Sequence, residues 1–415
     1  MVIPYSKTVF PSGLRVVHRR VASPLVALHV WIRSGVRHES RDQVGIAHYF
    51  EHMVFKGSHR YPGSQLCRQI QALGGTMNAG TSLDTTDFYL VVPHDFWQDA
   101  VPFMRELIWE SSFDPVEMEN EKMVVFQEMN IEEDDPEEKL SRILYETVFA
   151  DTPYARPILG TEETIRTITG DDLIRYREQA LHPANMVVVV AGNLPVEEVL
   201  SVVERDFAPP PAVDAAVLDS FPPLPERGGE KIEHGMDISM TYGALGYLCP
   251  GIKEDSGYAL NLLAGILGEG IASRLNLRLR EDKGLVDAIQ AAYLPYEKAG
   301  LFCVIFSFLE GNTEQVEEAI HEEMIRVMAE LPLPGEIQRA INLLKTAFYR
   351  AFETTLGNAE ILGRLDSIDN IDRLSRYIPL MEGLQASDLR EVLIRYLDWD
   401  RCHRIVVHPH RMKNQ

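Results

Sequence analysis

His48-Tyr49-Phe50-Glu51-His52 places two imidazoles four residues apart, with a carboxylate beside the second. On an α-helix, residues at that spacing lie on one face, one turn above each other. His48 and His52 could then aim ring nitrogens at a single metal ion, with Glu51 on the same side. Two histidines leave a zinc ion short of protein ligands, because catalytic zinc takes three and keeps one position for water. A third ligand must therefore come from elsewhere in the chain. The competing reading is a core helix that carries these residues by chance. It leaves charged Glu51 in a segment otherwise fit for burial, beside Phe50 and Met53, where an unpaired carboxylate is costly.

The flanking residues support a helix. Asp42 is a candidate N-cap, Ile46, Phe50, Met53 and Val54 form an apolar stripe, and Gly57 follows as a stop. The order H-x-x-E-H reverses the commoner H-E-x-x-H and marks the inverted zincins. Downstream, Glu121 to Met129 mixes apolar and charged residues as an amphipathic helix does. Glu121 and Glu128 stand two turns apart on one side of it. One could ligate the metal while the other holds a ligating histidine. A solvated acidic face is the alternative.

The chain resembles the pitrilysin (insulinase-type) zinc peptidases, and is most similar to the short-chain branch that includes mitochondrial processing peptidase and bacterial relatives. The resemblance runs through Phe10 to Val17, the motif and Met53 to Ser58, and Gly75-Thr76-Met77-Asn78-Ala79. It continues through Glu121 to Glu128, Pro157-Ile158-Leu159-Gly160 and His182 to Met186. It implies zinc held by His48, His52 and Glu128, with Glu121 behind a ligand and Glu51 as general base. It also implies that Asn78 and Ala79 lie on an exposed edge strand that pairs with the substrate backbone. A simple turn into a core strand is the other reading of Asn78-Ala79.

At 415 residues the chain is long enough for two or more domains. The net charge of −22 excludes a nucleic-acid binder, which needs a basic surface. No apolar run reaches the length of a membrane span. The start, Met-Val-Ile-Pro-Tyr-Ser-Lys, lacks a secretory pattern, so a cytoplasmic protein is expected. Cys67, Cys249, Cys303 and Cys402 are scattered and read as reduced, mostly packed thiols.

The prolines between Ala208 and Gly229 disfavour helix and central strand. They divide the chain into an N-terminal zinc-binding domain (1–208), a linker (209–229) and a related C-terminal domain (230–415). The halves read as distant repeats. The strand-like run Phe88 to Val92 corresponds to Leu301 to Phe306, and Met186 to Val190 to Arg404 to Val407. The expected fold is α+β: two homologous α/β-sandwich domains, pitrilysin-like, joined by the Pro-rich linker.

One position departs from the family. Active relatives carry an arginine and, seven residues on, a tyrosine that stabilise the developing oxyanion. Arg280 matches the arginine, but the tyrosine position holds Asp287, whose carboxylate cannot donate a hydrogen bond unless protonated. Tyr293 or Tyr296 substitutes, or a second chain supplies the pair. The expectation is a zinc endopeptidase cleaving peptides inside a clamshell chamber, as the motif-bearing subunit of a heterodimer with a second pitrilysin-like subunit; a homodimer remains the other arrangement. Two further alternatives are a non-catalytic assembly subunit and a maturase that trims a peptide leader.

Overall fold

The computed structural model describes residues 3–207, 221–225, 227–309 and 311–410. The expected linker 209–229 lies mostly outside the described residues. The chain resolves into two compact units, neither of them a single continuous stretch. The first comprises 1–129, 156–220 and 349–374; the second comprises 130–155, 221–348 and 375–415.

The first unit holds a six-stranded sheet of β1 (Ser6–Val9), β2 (Arg15–Arg20), β3 (Leu25–Ile32), β4 (Thr76–Thr81), β5 (Thr86–Pro93) and β6 (Met186–Gly192). Its order is β1-β2-β6-β3-β5-β4. The second holds β7 (Lys231–Met236), β8 (Thr241–Pro250), β9 (Ala288–Pro295), β10 (Ala299–Phe308) and β11 (His403–Pro409), in the order β7-β11-β8-β10-β9. Leaving out β1, the two sheets match strand for strand. Each has one parallel pair, β2 with β6 and β7 with β11, and every other pairing is antiparallel. The repeat expected from the sequence is a repeat of topology.

Alternation along the strands directs apolar side chains to one face of each sheet. Val26, Leu28, Val30 and Ile32 of β3 join Phe88, Leu90 and Val92 of β5 in the first core, under the helices Ile46–Val54 and Trp97–Trp109. Leu245, Tyr247, Phe302, Val304 and Phe306 do the same in the second, under Ser256–Gly268.

The opposite face of each sheet also carries one helix. In the first unit this is Thr355–Ile368, from late in the sequence, and it lies so close that a Cβ at Gly363 would stand 2.1 Å from Trp31 Cδ1. In the second it is Pro136–Val148, from the sequence's first half, where a Cβ at Gly246 would stand 2.5 Å from Leu144 Cδ1. Glycine is needed at both places because the helix sits directly on the strand. The division read from sequence assigned each of these helices by chain position; contacts assign them to the other sheet.

Candidate metal centre

The motif forms the helix Ile46–Val54. Asp42 does not cap it. The helix starts after Gly45, whose φ of +93° is left-handed, and the capping carboxylate comes from Glu39. Gly45 N–H donates to Glu39 Oε2 at 2.9 Å, and Ala47 N–H donates to Oε1 at 2.9 Å. Gly45 has no room for a side chain, since a Cβ there would meet Gly160 Cα at 2.7 Å and the Leu159 carbonyl at 2.8 Å. At the other end the helix stops at Val54, and Gly57 follows in a left-handed turn with φ +106°.

The second contributor is the helix Pro115–Asp134. Tyr49 Oη donates to the Met118 carbonyl at 2.7 Å, tying the two helices together through a buried side chain. One turn beyond Met118, Glu121 is buried, and His52 Nδ1 lies 2.9 Å from its Oε1. Lys56 Nζ engages its other oxygen. Two turns further, Glu128 Oε2 lies 3.5 Å from His52 Nε2 and 3.8 Å from His48 Nε2. The histidine rings are 4.4 Å apart between centroids.

These residues fit a tetrahedral metal ion. The ligand atoms of His48, His52 and Glu128 all lie within 4.8 Å of one another. Bonds of about 2.0–2.2 Å at tetrahedral angles put neighbouring ligand atoms roughly 3.3–3.6 Å apart. Glu128 Oε2 is also buried without a hydrogen-bond partner, although the rest of its side chain is partly exposed. An orphaned carboxylate oxygen facing two imidazole nitrogens has the donor set that a divalent cation takes. Burial, and then the neighbouring His52, push the His48 pKa down to about 3, so its lone pair is available for a metal. Burial opposes a charge on His52, but its hydrogen bond to Glu121 and the charge of Glu128 outweigh it and raise its pKa. The carboxyl of Glu121 is depressed overall because its bonds to His52 and Lys56 overcome burial.

Glu51 stands apart from the ligand set. Thr81 Oγ1 donates to its Oε2 at 2.7 Å, and burial raises its pKa against the pull of that bond. Thr81 ends β4, the edge strand, which among the described residues pairs only with β5. Asn78 and Ala79 lie on this strand, one exposed and the other partly so. Lys56 and Thr81 were not singled out in the sequence; Lys56 follows His52 by one turn, which is the available signal.

Arg280 is exposed on the helical segment Asn276–Asp282 of the second unit. Asp287 Oδ2 accepts the Leu309 N–H at 2.7 Å, a local loop contact. Tyr293 Oη donates to the Pro250 carbonyl at 2.7 Å, and Tyr296 Oη is bonded to Tyr145 Oη. Both candidate replacements for the missing tyrosine are thus engaged inside the second unit. The four cysteines form no disulfide, and Cys249, Cys303 and Cys402 are buried.

A duplicated α+β unit whose first copy bears an H-x-x-E-H helix facing a distant glutamate defines an inverted-zincin type of chain. A family model described as insulinase (peptidase family M16) matches residues 15–162, and one described as the peptidase M16 inactive domain matches 167–344. The chain is 28% identical over 353 residues to the uncharacterized zinc protease YmxG of Bacillus subtilis, covering 83% of this chain and 85% of that one. It is 29% identical over 340 residues to an uncharacterized zinc protease of Rickettsia bellii, covering 82% and 81%. A protease from Helicobacter pylori shares the fold with a TM-score of 0.93 at 21% identity, over 99% of this chain and 100% of that one. A peptidase M16 inactive domain from Pseudomonas fluorescens does so with 0.91 at 17% identity, over 98% of each. The chain belongs to the insulinase, or pitrilysin-type, peptidase family M16.

Among the described residues, no helix is long and apolar enough to cross a membrane.

Proposed function

We propose that this chain is a zinc-dependent endopeptidase whose metal is held by His48, His52 and Glu128. The observation that carries the reading is the buried Glu128 Oε2, without a hydrogen-bond partner, facing both Nε2 atoms. Relatives named zinc proteases support the choice of metal. Zinc held there would supply an acidified water and a positive charge that polarises a peptide carbonyl.

The residues of the chain do the rest. Thr81 holds Glu51 Oε2 and so fixes the carboxylate, leaving Oε1 to take a proton from the attacking water and return it to the departing amine. The raised pKa of Glu51 brings it closer to the operating pH, where a group that both accepts and donates a proton works best. Beside it, the side of β4 that is unpaired among the described residues would offer backbone N–H and C=O groups at Asn78 and Ala79 to an extended peptide. Such pairing gives affinity with little dependence on sequence, which fits a substrate class of unfolded or peptide segments.

Asp287 favours a partner-dependent form of this reading. A carboxylate cannot donate to an oxyanion as the family's tyrosine does, and Tyr293 and Tyr296 are bonded within the second unit. A second pitrilysin-like subunit would then supply the arginine–tyrosine pair to Glu51 and the metal of this one. The test is a quenched-fluorescence peptide assay on the purified chain, with zinc and with chelator. Chelator-sensitive cleavage supports the hydrolase; full cleavage by the chain alone removes the need for a partner. Zinc-loaded chain that is inert even with a co-expressed second subunit contradicts the proposal.

A further inference from the structure

His48 and His52 are held in different ways. His52 Nδ1 is oriented by Glu121, so its ring is fixed from outside the metal. His48 Nδ1 is buried and has no hydrogen-bond partner among the described residues. A metal-bound imidazole ordinarily gives its second nitrogen to a carboxylate or carbonyl that sets the ring. For His48 that support must come through the backbone.

The backbone at this point is vulnerable. His48 sits in the first turn of a helix of nine residues, where N–H groups lack partners within the helix and the turn frays most easily. The structure meets this with one side chain. Glu39 is 7% exposed, and its two oxygens take one N–H each, from Gly45 and Ala47, on either side of the helix start. The Glu39 backbone is fastened in turn, its carbonyl accepting from Arg156 Nη1. Thr164 Oγ1 donates to the Val44 carbonyl at 2.7 Å, holding the residue just before the turn.

We propose that Glu39 is the positioning residue for His48: by capping the first turn of the motif helix with both oxygens, it does for His48 what Glu121 does for His52. The proposal rests on the metal reading above and adds a role to a residue that touches neither metal nor substrate. It requires two acceptor oxygens. Glu39→Gln keeps one acceptor and can hold one N–H, whereas Glu39→Ala holds none.

The experiment measures zinc affinity by chelator competition in wild type, Glu39→Gln, Glu39→Ala and Val304→Ala, at a temperature where circular dichroism shows all four folded. Val304 is buried in the second unit and controls for loss of stability alone. Wild type is also loaded with cobalt(II), whose visible bands report coordination geometry, and compared with Glu39→Ala. The expected result is zinc affinity weaker by roughly tenfold in Glu39→Ala, the lower end of what outer partners of ligands are worth. Glu39→Gln should fall in between, Val304→Ala should match wild type, and the cobalt bands should shift in Glu39→Ala. Unchanged affinity and an unchanged cobalt spectrum in Glu39→Ala would overturn the positioning role and leave the metal reading intact. A wild-type chain that binds no zinc would overturn both.

Discussion

His52 Nδ1 lies 2.9 Å from Glu121 Oε1, and this contact joins the motif helix to the helix that carries Glu128. It orients the ring for a metal: with Nδ1–H given to the carboxylate, Nε2 would present its lone pair on the side of Glu128. Lys56 on the other oxygen of Glu121 balances its charge. Glu121→Ala is therefore expected to weaken zinc binding by about 10–100-fold. It also leaves the Lys56 ammonium beside His52. Competition with a calibrated chelator measures this, and an affinity within twofold of wild type would separate Glu121 from the metal site.

Glu51→Gln should lower peptide cleavage by about 10²–10⁴-fold while zinc content stays at the wild-type level. Thr81→Val removes only the bond that orients the carboxylate, so kcat should fall by roughly three- to tenfold, the worth of one hydrogen bond. The comparison is of kcat and metal content side by side. Loss of zinc in Glu51→Gln would turn Glu51 from base into ligand.

Glu39 links stability to pH. Burial raises its pKa from 4.5 to about 8, against the two backbone N–H bonds and Arg156, which pull it down. A carboxyl raised on folding stabilises the fold fully below the unfolded value, and that contribution is lost as pH climbs through the folded one. Wild type should thus lose stability relative to Glu39→Gln between pH 4.5 and 8, by at most about 1.4 kcal/mol for each pH unit. Urea unfolding of both metal-free proteins at pH 5 and pH 8 reads the difference. Parallel pH curves would show that Glu39 titrates as an ordinary carboxylate.

The two helices laid on the reverse faces of the sheets should differ in tolerance. A Cβ at Gly246 would meet the ends of Leu144 and Val148 at 2.5 and 2.9 Å, atoms that can rotate aside. One at Gly363 would meet the rigid Trp31 indole at 2.1 Å. Gly246→Ala should cost about 1–3 kcal/mol, as overpacking does, and Gly363→Ala more. Denaturant midpoints decide the order, and a smaller loss at Gly363 would contradict it.

Much of the centre was legible because its signals are local or come in pairs. His48 and His52 declare themselves by helical spacing, and Glu121 with Glu128 by a two-turn interval. The strands β5, β6, β10 and β11 follow from β-branched and aromatic runs, and their matching order in the two sheets follows from the repeat. What sequence did not yield depends on distant packing. Asp42 has the residue type of a cap, but the helix begins beyond it, at Gly45, where Gly160 crowds the chain; the cap comes from Glu39, buried against that start. The engagement of Thr81 with Glu51 requires a strand to lie over a helix. The placement of Pro136–Val148 and Thr355–Ile368 is a matter of contacts far apart in the chain, and nothing in their own residues states it. Asp287 stood out as a departure, but the bonds that hold Tyr293 and Tyr296 within the second unit depend on distant packing.

Three side chains sharing one ion underlie the proposed hydrolase, and metal content measured after zinc loading and dialysis tests that most directly. Wild type is expected to retain one zinc per chain, and His48→Ala, His52→Ala and Glu128→Gln each to lose most of it. Stoichiometric zinc retained by Glu128→Gln together with His48→Ala would place the metal elsewhere and contradict the account.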